Sequence, residues 1–138
     1  MSDNLKLFRR RFIPDELVFL RDDEIVSVTE DKILTRWHSL NARTDFAYGE
    51  SVYYRKKGLK VTRVLDENRN FLHWYIDIVR ECGPEALNVG PDTRLNTAAA
   101  EYLGSERDPR DQVKVYEDLL LDVTVLPDGL IRVLDMDE

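Results

Sequence analysis

The segment Asp-Leu-Leu-Leu-Asp-Val-Thr-Val at residues 118–125 sets two carboxylates four residues apart in an otherwise apolar, β-branched run. Such a run favours a strand, and a strand sends alternate side chains to opposite faces. Asp118, Leu120, Asp122 and Thr124 then share one face; Leu119, Leu121, Val123 and Val125 form the other, which reads as a core face. Burying an uncompensated carboxylate is expensive. The Pro127-Asp128-Gly129 turn returns the chain, so that LIRVLDMDE pairs with the same strand and brings up Asp135, Asp137 and Glu138. Four or five carboxylates gathered by one hairpin repel unless protons or cations intervene. Hard oxygen donors of this kind suit Mg²⁺ or Mn²⁺, with Ca²⁺ as a further option. The rival reading is a solvated acidic edge that discourages strand-to-strand pairing, and the spacing matches no named metal motif.

Other residues could join this chemistry. In Trp-Tyr-Ile-Asp-Ile at 74–78, Tyr75 and Asp77 share a face. Asp77 is disfavoured inside a strand and offers a ligand from a third strand. Tyr75 could stack on a base, donate a proton or simply pack. The basic segment RKKGLKVTR at 55–63 is the natural phosphate partner. Lys60 and Arg63 lie three apart, so alternation sends only one of them toward any single site. Lys56 and Lys57 belong to a solvated turn. His38 and His73 lack ligand spacing and read as packing or surface residues. No Walker A loop, nucleophile elbow or paired Cys-x-x-Cys is present.

The elements that must position these groups are mostly short strands. EIVSVT and KILTRW flank Glu30-Asp31 as a hairpin; SVYYR, LKVTRVL and FLHWYIDIV follow, separated by turn residues. Residues 83–112 break the pattern with Gly83-Pro84 and Gly90-Pro91 and contain a short helix, LNTAAAEYL, with Asn96 as its N-cap and Gly104 at its end. They read as a surface excursion, a candidate lid. The expected fold is mainly β: an antiparallel barrel-like sheet with one short helical excursion, in one domain spanning residues 1–138.

Composition narrows the classes. The chain of 138 residues carries a formal charge of −7, which argues against broad affinity for nucleic acid. The average conceals polarity: Arg9, Arg10 and Arg11 form a basic run, whereas Glu117–Glu138 holds seven acidic residues and only Arg132 as a base. No apolar run approaches the roughly 18 residues of a membrane span, and the first residues lack a secretory signal pattern. The single cysteine, Cys82, excludes an internal disulfide and fits a reducing cytoplasm.

The segments RRFIPDE, Arg36-Trp37, KGLKVTRVLDENRNFLHWYIDI and, above all, YEDLLLDVTVLPDGLIRVLDMDE carry a family likeness. Through them the chain resembles the metal-dependent nucleoside tri- and diphosphatases of the FomD-like family, which includes the cytidylyl-phosphonate hydrolase of fosfomycin biosynthesis. The resemblance covers most of the chain outside residues 83–112. It implies a two-metal site hydrolysing the phosphoanhydride bond of nucleoside di- or triphosphates through in-line attack of a metal-activated water. By matching position, Asp77, Asp118, Asp122, Asp135, Asp137 and Glu138 are the implied metal ligands, Lys60 and Arg63 the phosphate contacts, and Tyr75 and Asp122 the catalytic candidates. Leu120 departs from the pattern, since some relatives carry a further acidic residue in this strand, which implies a different ligand set here. Relatives also continue past LDMDE into a helix, so a chain stopping at Glu138 reads as truncated or minimal.

Two further readings compete. An RNA-binding or RNA-processing accessory domain would use Trp37, Tyr53, Tyr54 and Arg55 as a contact face, although the acidic C-terminal region would repel a phosphate backbone. An inactive interaction module would keep the fold alone.

Overall fold

The computed structural model describes residues 4–38 and 47–135, with the backbone alone at 120, 134 and 135. Among these residues ten strands form one sheet that curls into an open half-barrel, with a single α-helix. The strands are β1 (Leu5–Phe12), β2 (Asp15–Phe19), β3 (Glu24–Val28), β4 (Lys32–His38), β5 (Tyr48–Tyr54), β6 (Leu59–Leu65), β7 (Phe71–Cys82), β8 (Arg94–Leu95), β9 (Gln112–Val125) and β10 (Ile131–Asp135). Their order across the sheet is β3-β4-β5-β6-β7-β9-β1-β2-β8, with β10 also on β9. The mainly β expectation holds. The sheet is mixed, however, because β1 runs parallel to β9 and β2 parallel to β8.

Strand β9 organises the fold. Residues 112–117 pair with β1, residues 121–125 with β10, and residues 115–125, across a bulge, with β7. The 14-residue length needed for this follows from a long β-branched, apolar run with no glycine or proline before Pro127.

Curling gives the sheet two unlike faces. On the concave face Leu5, Leu7, Ile33, Tyr53, Val79 and Tyr116 pack together. These come from β1, β4, β5, β7 and β9, and only a curved sheet brings strands so far apart into contact. On the convex face Phe8, Leu17, Phe19, Val113 and Val115 are covered by Leu87 and by Ala98 and Ala99 of helix α1 (Thr97–Gly104). Phe8 and Phe19 stack with ring centroids 4.5 Å apart, and Tyr102 of α1 meets both rings edge-on.

The 83–112 segment is thus the cover of a second core. Asn96 caps α1 as expected, accepting from Ala99 N at 2.9 Å. It also ties the helix to β2, accepting from Phe19 N and donating to Phe19 O. None of residues 83–112 borders the concave cavity, which corrects the expectation of a lid.

A second correction concerns the face assigned to the core in β9. Leu119 and Leu121 are 45% and 41% exposed, and Val133 of β10 is 57% exposed. Alternation placed these residues together correctly. Among the described residues no second layer covers that part of the convex side, because α1 covers only the β1–β2 half.

Candidate functional site

Strand register builds the site row by row. Ile33, Tyr53, Lys60, Asp77 and Asp122 are successive cross-strand partners from β4 to β9. Directly paired residues project to the same side of a sheet. Two residues further along lies Thr35, Ser51, Thr62, Tyr75 and Thr124, and beyond that Trp37, Gly49, Val64 and His73. All three rows face the hollow of the half-barrel, where a cavity of about 520 Å³ is lined by Lys60, Tyr75, Asp77, Asp118, Arg9 and Arg11, among others.

A bulge in β9 brings Asp118 to this group. Asp77 pairs with Asp122 and Val79 with Asp118, so three residues of β9 oppose the single Ile78 of β7. An unbroken register would have set Asp118 opposite Glu81. The bulge draws it two positions toward Asp77 and keeps Asp118 and Asp122 on one face, as strand alternation requires.

The carboxylates differ in their surroundings. Asp118 is buried, and Arg11 lies 3.5 Å from its Oδ2. Asp122 accepts from the Tyr75 hydroxyl at 2.6 Å through Oδ2, whereas its buried Oδ1 has no ordinary donor among the described residues. Asp77 is pushed up to about 7, first by burial, then by hydrogen bonding to Asp122 and by the charges of Asp122 and Asp118, with Lys60 opposing. Burial and the bond to Asp122 push the Tyr75 hydroxyl well above its usual range.

The cations are set against them. Burial would push the Lys60 ammonium down, but Tyr53, Asp77 and Asp23 outweigh it and the net direction is up. Its Nζ lies 5.0 Å from the Tyr53 ring centre. Arg63, as alternation demanded, lies on the other face, in a 2.8 Å ion pair with Glu50. Lys56 pairs with Asp31 in the solvated turn.

Several cavity residues escaped the sequence reading. Arg9 and Arg11 sit at alternate positions of β1 and both line the cavity, while Arg10 turns away to Asp15. The Arg-Arg-Arg run shows this once it is read as a strand. Asp23, on the loop after β2, is pushed up to about 6 by burial, against the pull of Lys60 and Arg9. No spacing signal marks it. His73 borders the cavity, and burial lowers its pKa.

Tyr75, Asp77, Asp118, Asp122 and Lys60 are therefore brought together. Asp135 belongs to β10, where its backbone pairs with Leu121 while Leu134 pairs with Asp122. Its side chain lies outside the described residues, as do Asp137 and Glu138 entirely. Among the described residues no three His, Cys, Asp or Glu side chains converge as a ready metal-binding group. Two observations nevertheless suit a hard cation: Asp122 Oδ1 is buried without an ordinary donor among the described residues, and burial with the neighbouring carboxylates raises the facing Asp77 carboxyl even against Lys60.

The residues proposed for RNA contact do not form one surface. Tyr53 is 1% exposed in the concave core, Tyr54 is on the opposite face, and Arg55 is held by Glu81 at 2.9 Å. No described helix is long and apolar enough to cross a membrane. Compared with known proteins, the chain matches no protein-family model and no curated protein significantly.

Proposed function

We propose that the concave cavity binds a nucleoside di- or triphosphate and hydrolyses a phosphoanhydride bond with a divalent cation, Mg²⁺ or Mn²⁺. The observation that carries this reading is the row Lys60–Asp77–Asp122, which sets one half-buried cation at the cavity wall beside two paired carboxyl groups. Asp77, Asp118 and Asp122 would hold one cation; a second would draw on Asp135, Asp137 or Glu138. A divalent ion there supplies charge neutralisation and makes water more acidic. Lys60, with Arg9 and Arg11, steadies the non-bridging phosphate oxygens. Tyr75 holds Asp122 in place through its bond to Oδ2. A carboxylate free of the ion takes the proton of the attacking water. The unpaired Cys82 supports a reducing, cytoplasmic location.

Phosphate release from ADP, GDP, CDP, ATP and GTP, measured with Mg²⁺ or Mn²⁺ and again with EDTA, tests the reading. Release from at least one nucleotide, abolished by EDTA, is expected. Its absence from all five overturns the proposal, and salt-sensitive retention of oligonucleotides without turnover would favour the RNA reading.

A further inference from the structure

We infer that Trp37 is a stacking platform for the nucleobase, so that the cavity takes nucleotides in preference to inorganic phosphates; this deepens the reading above and rests on it. Trp37 is the cross-strand partner of Gly49. A Cβ at position 49 would lie 2.1 Å from Cζ2 and 2.2 Å from Cε2 of the indole. The ring thus fills the place that any side chain at 49 would need, and the absence of one fixes where the indole sits. From there it borders the main cavity and also a second hollow on the rim. It is only half-buried, so it keeps aromatic surface for a ligand.

Its position relative to the cations matches a nucleotide. Val64 lies opposite Gly49, and Lys60 is four residues back along the same strand. Four strand residues span roughly 13 Å, comparable to the reach from the base to the terminal phosphate of an extended nucleoside diphosphate. Thr35, Ser51 and Thr62 form the intervening row, of which Thr62 borders the cavity between the indole and Lys60 while Thr35 and Ser51 lie buried beneath it. The Ser51 and Thr62 hydroxyls bond each other at 2.8 Å, while Thr35 Oγ1 is buried with no partner among the described residues. Stacking on an indole is tolerant of base identity, so the site accepts all four bases.

The test uses nucleoside monophosphates, which have no phosphoanhydride bond and bind without turnover. Trp74, on the outer face, is the second of two tryptophans; in a Trp74→Phe background Trp37 becomes the sole reporter. AMP, GMP, CMP and UMP should each quench its fluorescence, and inorganic phosphate should not. By calorimetry, Trp37→Ala should weaken nucleotide binding by roughly 5- to 150-fold and leave phosphate binding unchanged, with Trp37→Phe retaining most of the affinity. Gly49→Ala keeps the indole but displaces it, and should mimic Trp37→Ala should the latter not fold. Unchanged nucleotide affinity in a folded Trp37→Ala or Gly49→Ala protein overturns the inference, as does the absence of quenching. Quenching without turnover of any di- or triphosphate would keep the stacking site and remove the hydrolase.

Discussion

Replacing Asp77 by Asn should make the metal-free protein more stable at neutral pH. Asp77 keeps its proton to about pH 7 in the folded protein, whereas an unfolded chain releases it near the ordinary value of 3.8. Between these values the unfolded state holds fewer protons, so stability falls as pH rises. Each pH unit of such a difference carries about 1.4 kcal/mol. The span from 3.8 to about 7 already includes the opposing Lys60 charge and sets a ceiling of about 4 kcal/mol, which partial solvent access and relaxation around the ionised carboxylate reduce to about 2 kcal/mol. Asn resembles the protonated carboxyl and cannot ionise, so the variant should match wild type near pH 4 and exceed it at pH 8. The assay is thermal unfolding from pH 4 to 8 in EDTA, where about 2 kcal/mol corresponds to roughly 5–10 °C in Tm. Added Mn²⁺ should then raise the Tm of wild type and leave Asp77→Asn nearly unmoved. A variant less stable than wild type at pH 8 in EDTA would refute the reasoning, because Asp77 would then be an ionised, well-partnered structural residue.

Three other outcomes follow from the same geometry. Lys60→Met should lower phosphate release by about 100-fold or more, whereas Arg63→Ala, on the outer face beside Glu50, should change it by less than about twofold; steady-state kinetics on both separates the two faces. Asn96→Ala removes the α1 cap and both bonds to Phe19, and should cost about 2–3 kcal/mol in urea unfolding without altering nucleotide affinity. Tyr75→Phe frees Asp122 Oδ2 of its donor, so its metal affinity should fall by roughly 10- to 100-fold in a Mn²⁺ titration.

Much of this site could be read from alternation alone. Parity placed Tyr75 with Asp77, Asp118 with Asp122, and Lys60 apart from Arg63, and the register keeps each relation. What alternation cannot give is offset between strands. The bulge that draws Asp118 from Glu81 toward Asp77 leaves parity intact, so no periodic signal reveals it. Nor does a local pattern show that β1 inserts parallel to β9, a pairing between residues 107 apart in the chain. That contact carries Arg9 and Arg11 into the cavity and explains why a basic N-terminal run belongs to an acidic C-terminal site. Leu119 and Leu121 were misread for a related reason: an apolar face needs a covering layer, and the helix that could supply one is tied by Asn96 to β2 instead.

The central claim is that the Asp77–Asp122 pair takes a divalent cation to cleave a phosphoanhydride bond. Its most direct test is phosphate release by wild type and Asp122→Asn side by side, across Mn²⁺ concentrations, with the Tm of each recorded. The account predicts metal-dependent release by wild type and a fall of at least about 100-fold in a folded Asp122→Asn protein. A fully active Asp122→Asn, or wild-type release indifferent to the metal, would contradict it.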